Sequence, residues 1–158
     1  MKAILLSAGR GSRLLPLTES RPKCLLPVKG TTLLGHQLDT LEAAGIRHAT
    51  VVTGFLPDLV EAEIARRNGS LKVEPFFNPF FQVADNLASC WMVRERMNSD
   101  FLLINGDTLF TPDLISAVMA APPSPILVTI DQKAAYDLDD MKVTVLGEIF
   151  RNAQARVT

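Results

Sequence analysis

Cysteine is scarce in this sequence. Cys24 and Cys90 are the only two among 158 residues, and neither belongs to a Cys-x-x-Cys pair or a histidine-containing ligand pattern. That usage argues against a disulfide framework or a zinc site and fits a reducing, cytoplasmic setting. Long apolar runs are lacking too. None approaches the roughly 18 to 20 residues a membrane helix needs, and Arg10 and Arg13 interrupt the N-terminus before a signal peptide is complete. Charge of one sign is also missing: 16 basic side chains against 17 acidic ones leave a net charge of −1. Nothing global therefore points to nucleic acid or a membrane surface, and any basic character must be local. Aromatic residues make up 6%, low but ordinary for an α/β protein. No Gly-x-x-x-x-Gly-Lys-Ser/Thr sequence occurs, which rules out a Walker-type phosphate loop.

What is present is a composition that is 47% hydrophobic, enough for one domain with a real core and too little chain for two. A single domain over residues 1–158 is expected. Apolar, β-rich runs at 2–7, 49–53, 71–75, 101–105, 126–131 and 141–146 predict strands. Several of these are almost continuously apolar, as strands covered on both faces are. Helical stripes lie between them, over 32–44 up to Gly45, over 57–68 up to Gly69, and over 86–97. Thr111-Pro112-Asp113 starts a further helix, with a capping hydroxyl followed by proline. The alternation predicts an open, mainly parallel α/β sheet with right-handed crossovers, in which ligands bind at the carboxyl ends of the strands. Residues 9–13, Thr53-Gly54 and Asn105-Gly106-Asp107 all fall there, whereas Pro122-Pro123-Ser124-Pro125 reads as a stiff connector.

The first strand runs into Ser7-Ala8-Gly9-Arg10-Gly11-Ser12-Arg13-Leu14, with Pro16, Thr18 and Arg21-Pro22-Lys23 following. Two glycines after an apolar strand allow successive backbone N–H groups to face one anion, and the basic side chains add full charges. The loop fails as a dinucleotide fingerprint. Leu14 stands where glycine or alanine permits close helix packing, and Pro16 stops a regular helix. Taken alone, the segment is read equally well as a glycine turn carrying solvated arginines.

Over a longer span, Gly9-x-Gly11-Ser12-Arg13-Leu14-x-Pro16-x-Thr18 and then Pro22-Lys23-x-Leu25-x-Pro27 resemble the signature of the nucleoside-triphosphate transferase superfamily. That superfamily includes sugar-1-phosphate nucleotidylyltransferases and bacterial phosphocholine cytidylyltransferases. The resemblance implies a Rossmann-like, three-layer α/β/α fold of the nucleotide-diphospho-sugar transferase type. It implies a reaction in which a phosphomonoester attacks the α-phosphorus of a nucleoside triphosphate and pyrophosphate leaves. Ser7, Ala8, Gly9 and Gly11 would then contact the nucleotide, Arg13 the leaving phosphates and Lys23 the α-phosphate, with Arg10 a lesser contributor. Asp107, ending Phe101-Leu-Leu-Ile-Asn-Gly-Asp107, would hold Mg2+, a hard cation suited to a strand-end carboxylate. Without the resemblance, Asp107 is equally a turn residue or a helix cap. The attacking phosphate has a second pKa of about 6, so no general base is required; His36 and His48 read as a helix and a loop residue.

Two further segments look like the phosphocholine-type subgroup. Phe77-Asn78-Pro79 through Asn86-Leu87-Ala88-Ser89 resembles its Asn-Pro…Asn-x-x-Ser stretch. There Gln82 and Asn86 offer a donor and an acceptor each to a pyrimidine edge, with Ser89 assisting. The plainer alternative is that Asp85 or Asn86 caps the next helix and Trp91 packs in the core. Over 135–143, Tyr136 and Asp137 suit an ammonium headgroup through cation–π attraction and charge pairing, although a solvated acidic loop reads the same residues. The implied substrates are CTP and a small phosphomonoester such as phosphocholine or another aminoalkyl phosphate. No nucleic-acid or membrane partner is implied, and homo-oligomerisation is left open.

The resemblance covers residues 1–145, and 146–158 form an atypical tail. Superfamily members usually run longer and carry a second metal-binding aspartate near the C-terminus, for which this tail offers no candidate. The expectation is a truncated version of the fold. Two alternatives stand beside the cytidylyltransferase. One is a hexose-1-phosphate nucleotidylyltransferase, against which residues 77–91 and 135–143 count; the other is a nucleotide-binding module with impaired catalysis.

Overall fold

The computed structural model describes residues 1–83, 85–130, 135, 143–146 and 149–153. The chain forms two compact units, Met1–Pro122 and Pro123–Thr158. In the first unit, strand β1 (Lys2–Leu6) precedes two short strands, β2 (Pro27–Val28) and β3 (Thr31–Thr32), and helix α1 (Leu33–Ala43). Then come β4 (His48–Thr53), α2 (Pro57–Ala65), β5 (Lys72–Phe77), α3 (Asn86–Met92), β6 (Phe101–Asn105) and α4 (Pro112–Ala120). The order β5-β4-β1-β6 makes one sheet, parallel throughout, while β2 and β3 pair as an antiparallel ribbon.

Burial on both faces explains the continuous apolar runs of β1 and β4. The run of β6, an edge strand expected to be covered in the same way, is only partly buried, with Leu103 49% exposed. Side chains alternate across a strand, so Ala3, Leu5, Ala49 and Val51 pack with Leu34, Leu38 and Leu41 of α1, Val60 of α2 and Ile115 of α4. Ile4, Leu6 and Val52 point the other way and pack with Phe81, Cys90 and Val93. The unit is therefore a three-layer α/β/α structure. Its helices start where side chains cap them. Thr32 Oγ1 accepts from the Gly35 N–H at 2.9 Å, Asp85 Oδ1 from Leu87 at 2.9 Å, and Thr111 Oγ1 from Leu114 at 3.4 Å.

Several expectations need correction. Helix α3 stops at Met92 and passes into a tight 3-10 turn over Arg94–Arg96. Its buried stripe is Ser89 and Val93, one helical turn apart, which leaves Trp91 on the outer side. Trp91 is 66% exposed, with the Arg94 guanidinium 4.5 Å from its ring centroid, and is not a core residue. His48 opens β4 instead of sitting in a loop. Residues 126–130 form neither strand nor helix, and Ile126 is 79% exposed. Apolar composition gives strand propensity, but a strand exists only with a ladder partner; Asp131 lies outside the described residues. The run expected at 141–146 gives β7 (Val143–Leu146), which pairs antiparallel with β8 (Ile149–Ala153) in the second unit. The reading of 146–158 as a tail did not anticipate that hairpin.

Strands β1, β4 and β5 build outward in one direction, and β6 then returns to the free side of β1. That reversal puts the topological switch point between β1 and β6, where open α/β sheets bind ligands.

Candidate active site

Because the sheet is parallel, the loops after β4, β1 and β6 leave from one edge. Leu6 is in register with both Val52 and Asn105, so the loop after β1 lies between the other two. Backbone bonds stitch the three exits together: Ser7 N–H to Val52 O at 3.0 Å, Phe55 N–H to Ala8 O at 3.1 Å, and Gly106 N–H to Leu6 O at 2.9 Å. Gly106 has no space for a side chain, since a Cβ there would lie 2.6 Å from Leu6 O and from Ser7 Oγ. Ser7 and Ala8 are buried beneath the loop.

The loop itself is held as a closed ring. Gly11 adopts a left-handed φ of 72°, and a Cβ on it would come within 2.9 Å of Lys23 Cβ. Its carbonyl accepts from Leu14 N–H at 2.9 Å and from the buried Thr18 hydroxyl at 2.8 Å. The N–H groups of Gly9, Arg10 and Gly11 donate to no backbone carbonyl among the described residues, so they are available to an anion. Arg13 sits exposed in the 3-10 turn Ser12–Leu14. The Arg10 guanidinium lies 5.2 Å from the Phe55 ring centroid.

Pro22 starts a second tight turn, Lys23–Leu25, that aims Lys23 across the loop. Lys23 Nζ meets Asp107 Oδ2 at 2.6 Å. Both side chains are partly exposed, so the pair adds little stability; its significance is that a cation and a carboxylate are held together beside the glycine loop. Asp107 does not cap a helix, because Thr111 does that. Among the described residues, no group of three or more histidine, cysteine, aspartate or glutamate side chains gathers as a metal cage. Magnesium usually takes one or two carboxylates together with substrate phosphates. One accessible carboxylate, beside the Lys23 ammonium and the glycine loop, would suit an ion that arrives with a polyphosphate. Cys24, next to Lys23 in sequence, is no nucleophile: burial pushes its thiol up to about 12 and keeps it neutral.

A cavity of about 470 Å³ opens beside the loop, lined by Ala8 and Gly9 together with Phe81, Asn86, Leu87 and Ser89. Four of the expected nucleotide-contact residues thus share one wall-to-wall space. Gln82 is exposed in the turn before α3 and does not line it. Asn86 Nδ2 lies 3.4 Å from Asn105 Oδ1. Ser89 is buried, its Oγ accepting from Asn78 Nδ2 at 3.0 Å. Phe81, Leu87 and Asn78 were not anticipated as site residues. Asn78, fully buried, fixes the strand exit by donating its N–H to Thr53 O at 2.8 Å and accepting from Phe80 N–H at 2.9 Å. The Asn-Pro dipeptide after a strand was the available signal for it. Tyr136 and Asp137 lie outside the described residues.

A profile for nucleotidyl transferases matches residues 2–135. The chain belongs to the nucleotidyl transferase family. Among its relatives, the CMP-5'-(3-aminopropyl)phosphonate synthase of Streptomyces rubellomurinus is 34% identical over 122 residues, covering 77% of this chain and 19% of that protein. A UTP–glucose-1-phosphate uridylyltransferase from Haloferax volcanii is 31% identical over 115 residues, covering 72% and 46%. The solved structure of CTP:phosphocholine cytidylyltransferase from Streptococcus pneumoniae superposes with a TM-score of 0.61 at 30% identity, covering 71% of this chain and 49% of that one. This nucleotidyl transferase chain therefore spans half or less of the length of these relatives. No helix among its described residues is long and apolar enough to cross a membrane.

Proposed function

We propose that this chain serves nucleotidyl transfer from CTP to a small phosphomonoester carrying an amine or quaternary ammonium group, such as phosphocholine. The observation that supports the reading most is the Lys23–Asp107 contact at 2.6 Å, set beside the Gly9–Gly11 loop at the switch point of the sheet. Two polyanions must be brought together, and the charge moving onto pyrophosphate must be neutralised. Because the acceptor phosphate is already ionised, that task is positioning and electrostatics. The loop N–H groups bind the triphosphate, Arg13 takes the leaving phosphates, and Lys23 neutralises charge at the α-phosphate. Asp107 would hold magnesium, which when bound supplies further charge neutralisation on the phosphates.

The neighbouring cavity takes the nucleoside. Asn86 presents both a donor and an acceptor, and Ser89, whose oxygen already accepts from Asn78, keeps its own proton to donate. Two of the three relatives are named for CMP or CTP chemistry, and the acceptor in each name bears an amine or ammonium. The uridylyltransferase supports a second reading, a hexose-1-phosphate acceptor with UTP. Two reduced cysteines go with action in the cytoplasm.

Pyrophosphate release separates the readings. CTP with phosphocholine or 2-aminoethyl phosphate is expected to release it. Release only with UTP and glucose-1-phosphate transfers the assignment to the second reading. Saturable CTP binding without release from any pair leaves a binding module.

A further inference from the structure

We infer that Gln37 is a positioning residue for Asp107, acting from helix α1 through the backbone turn that carries the carboxylate; the inference rests on the proposed nucleotidyl transfer. Gln37 is completely buried. Its Nε2 donates to Asn105 O at 3.0 Å and to Thr108 O at 2.7 Å. Those two carbonyls bracket Gly106 and Asp107. Thr108 N–H returns to Asn105 O at 3.2 Å and closes the turn, while Gly106 N–H ties it to Leu6 O of β1. The turn is thus fixed from the helix layer and from the sheet, and the Asp107 side chain remains free to face the glycine loop and Lys23.

The identity of the residue points the same way. Leu34, Leu38 and Leu41 make the buried stripe of α1, and position 37 falls on it. An apolar side chain would serve the core there, whereas glutamine forgoes apolar burial. Its Oε1 is buried with no hydrogen-bond partner among the described residues, which is itself unfavourable. What glutamine supplies is two N–H bonds from one neutral nitrogen. A hydroxyl cannot make both, asparagine is a methylene too short, and a buried lysine brings a charge. Groups that orient a metal ligand without touching the metal change affinity or activity by about 10- to 100-fold when removed.

The test uses the full chain with Mn2+ as probe and the α,β-methylene analogue of CTP, reading free Mn2+ by electron paramagnetic resonance. Wild type is compared with Gln37→Met, Gln37→Asn and Asp107→Asn, and thermal unfolding is recorded for each. Gln37→Met is expected to weaken Mn2+ binding roughly tenfold, with metal-free affinity for the analogue unchanged and cooperative unfolding retained. Asp107→Asn should lose more. Wild-type Mn2+ binding by folded Gln37→Met and Gln37→Asn overturns the inference and leaves Gln37 a structural residue; so does failure of both variants to fold. Should only Gln37→Met fail to fold, Gln37→Asn carries the comparison. Wild-type Mn2+ binding by Asp107→Asn instead refutes the role given to Asp107, and the inference falls with it.

Discussion

The two ends of the parallel sheet each carry a cavity, about 470 Å³ at the carboxyl ends of the strands and about 420 Å³ at their amino ends. The amino-end cavity has the denser charge, with Lys2, His48, Lys72, Glu74 and Arg96 around it. Much of that charge is already engaged. Lys2 Nζ donates to Asn98 Oδ1 at 2.6 Å, and Arg96 pairs with Glu74 at 2.7 Å. His48 and Lys72 merely face each other in register at the starts of β4 and β5. The carboxyl end has fewer charges but a glycine loop, three stitched chain exits and a cation–carboxylate pair at the switch point. Charge density does not mark a reaction site in such a sheet; convergence of loops does, because every parallel strand leaves toward the same edge.

Three substitutions, in descending order of expected effect, bear on that contrast. Lys23→Ala should lower kcat by about 10²- to 10³-fold, as removal of a group that stabilises transition-state charge does, while its thermal midpoint stays near that of wild type. Near-wild-type pyrophosphate release by this variant would remove the carboxyl end's claim. Gly11→Ala adds a Cβ at a left-handed position, 2.9 Å from Lys23 Cβ. We expect a stability loss on the order of 1–2 kcal/mol in urea unfolding, accompanied by weaker CTP binding. An unchanged denaturation midpoint would show that the ring tolerates a side chain. At the amino end, Lys72→Ala should leave kcat/KM as it was and stability within about 0.5 kcal/mol. A pronounced fall in kcat/KM would reverse the ranking of the two ends.

The elements that could be read in advance are those whose residues act locally. Thr32 and Thr111 cap their own helices, and the buried runs of β1 and β4 are apolar on both faces, so neighbours in sequence carried the information. The glycine loop was legible because its spacing is local as well. Residues governed by distant partners were not. Gln37 sits in a leucine stripe, and only residues 68 and 71 positions away explain it. Trp91 looked like core until the short α3 placed its buried stripe elsewhere. Residues 126–130 have the composition of a strand, yet a ladder partner is a property of the fold. The Lys23–Asp107 contact itself joins two motifs that sequence could name separately but not place side by side.

Lys23 and Asp107 stand 84 residues apart, and that separation sets when the site comes into being. The ladder that brings them together, from Lys2 with Phe101 to Leu6 with Asn105, spans more of the chain than the ladders of β1 with β4 or β4 with β5. Closing a longer loop costs more entropy, and distant parallel pairing is slow. Helical content and local turns can return to a refolding chain well before this ladder closes. Recovery of the proposed nucleotide binding is therefore expected to lag behind recovery of secondary structure, which would make the site a reporter of the finished sheet and not of the collapsed chain.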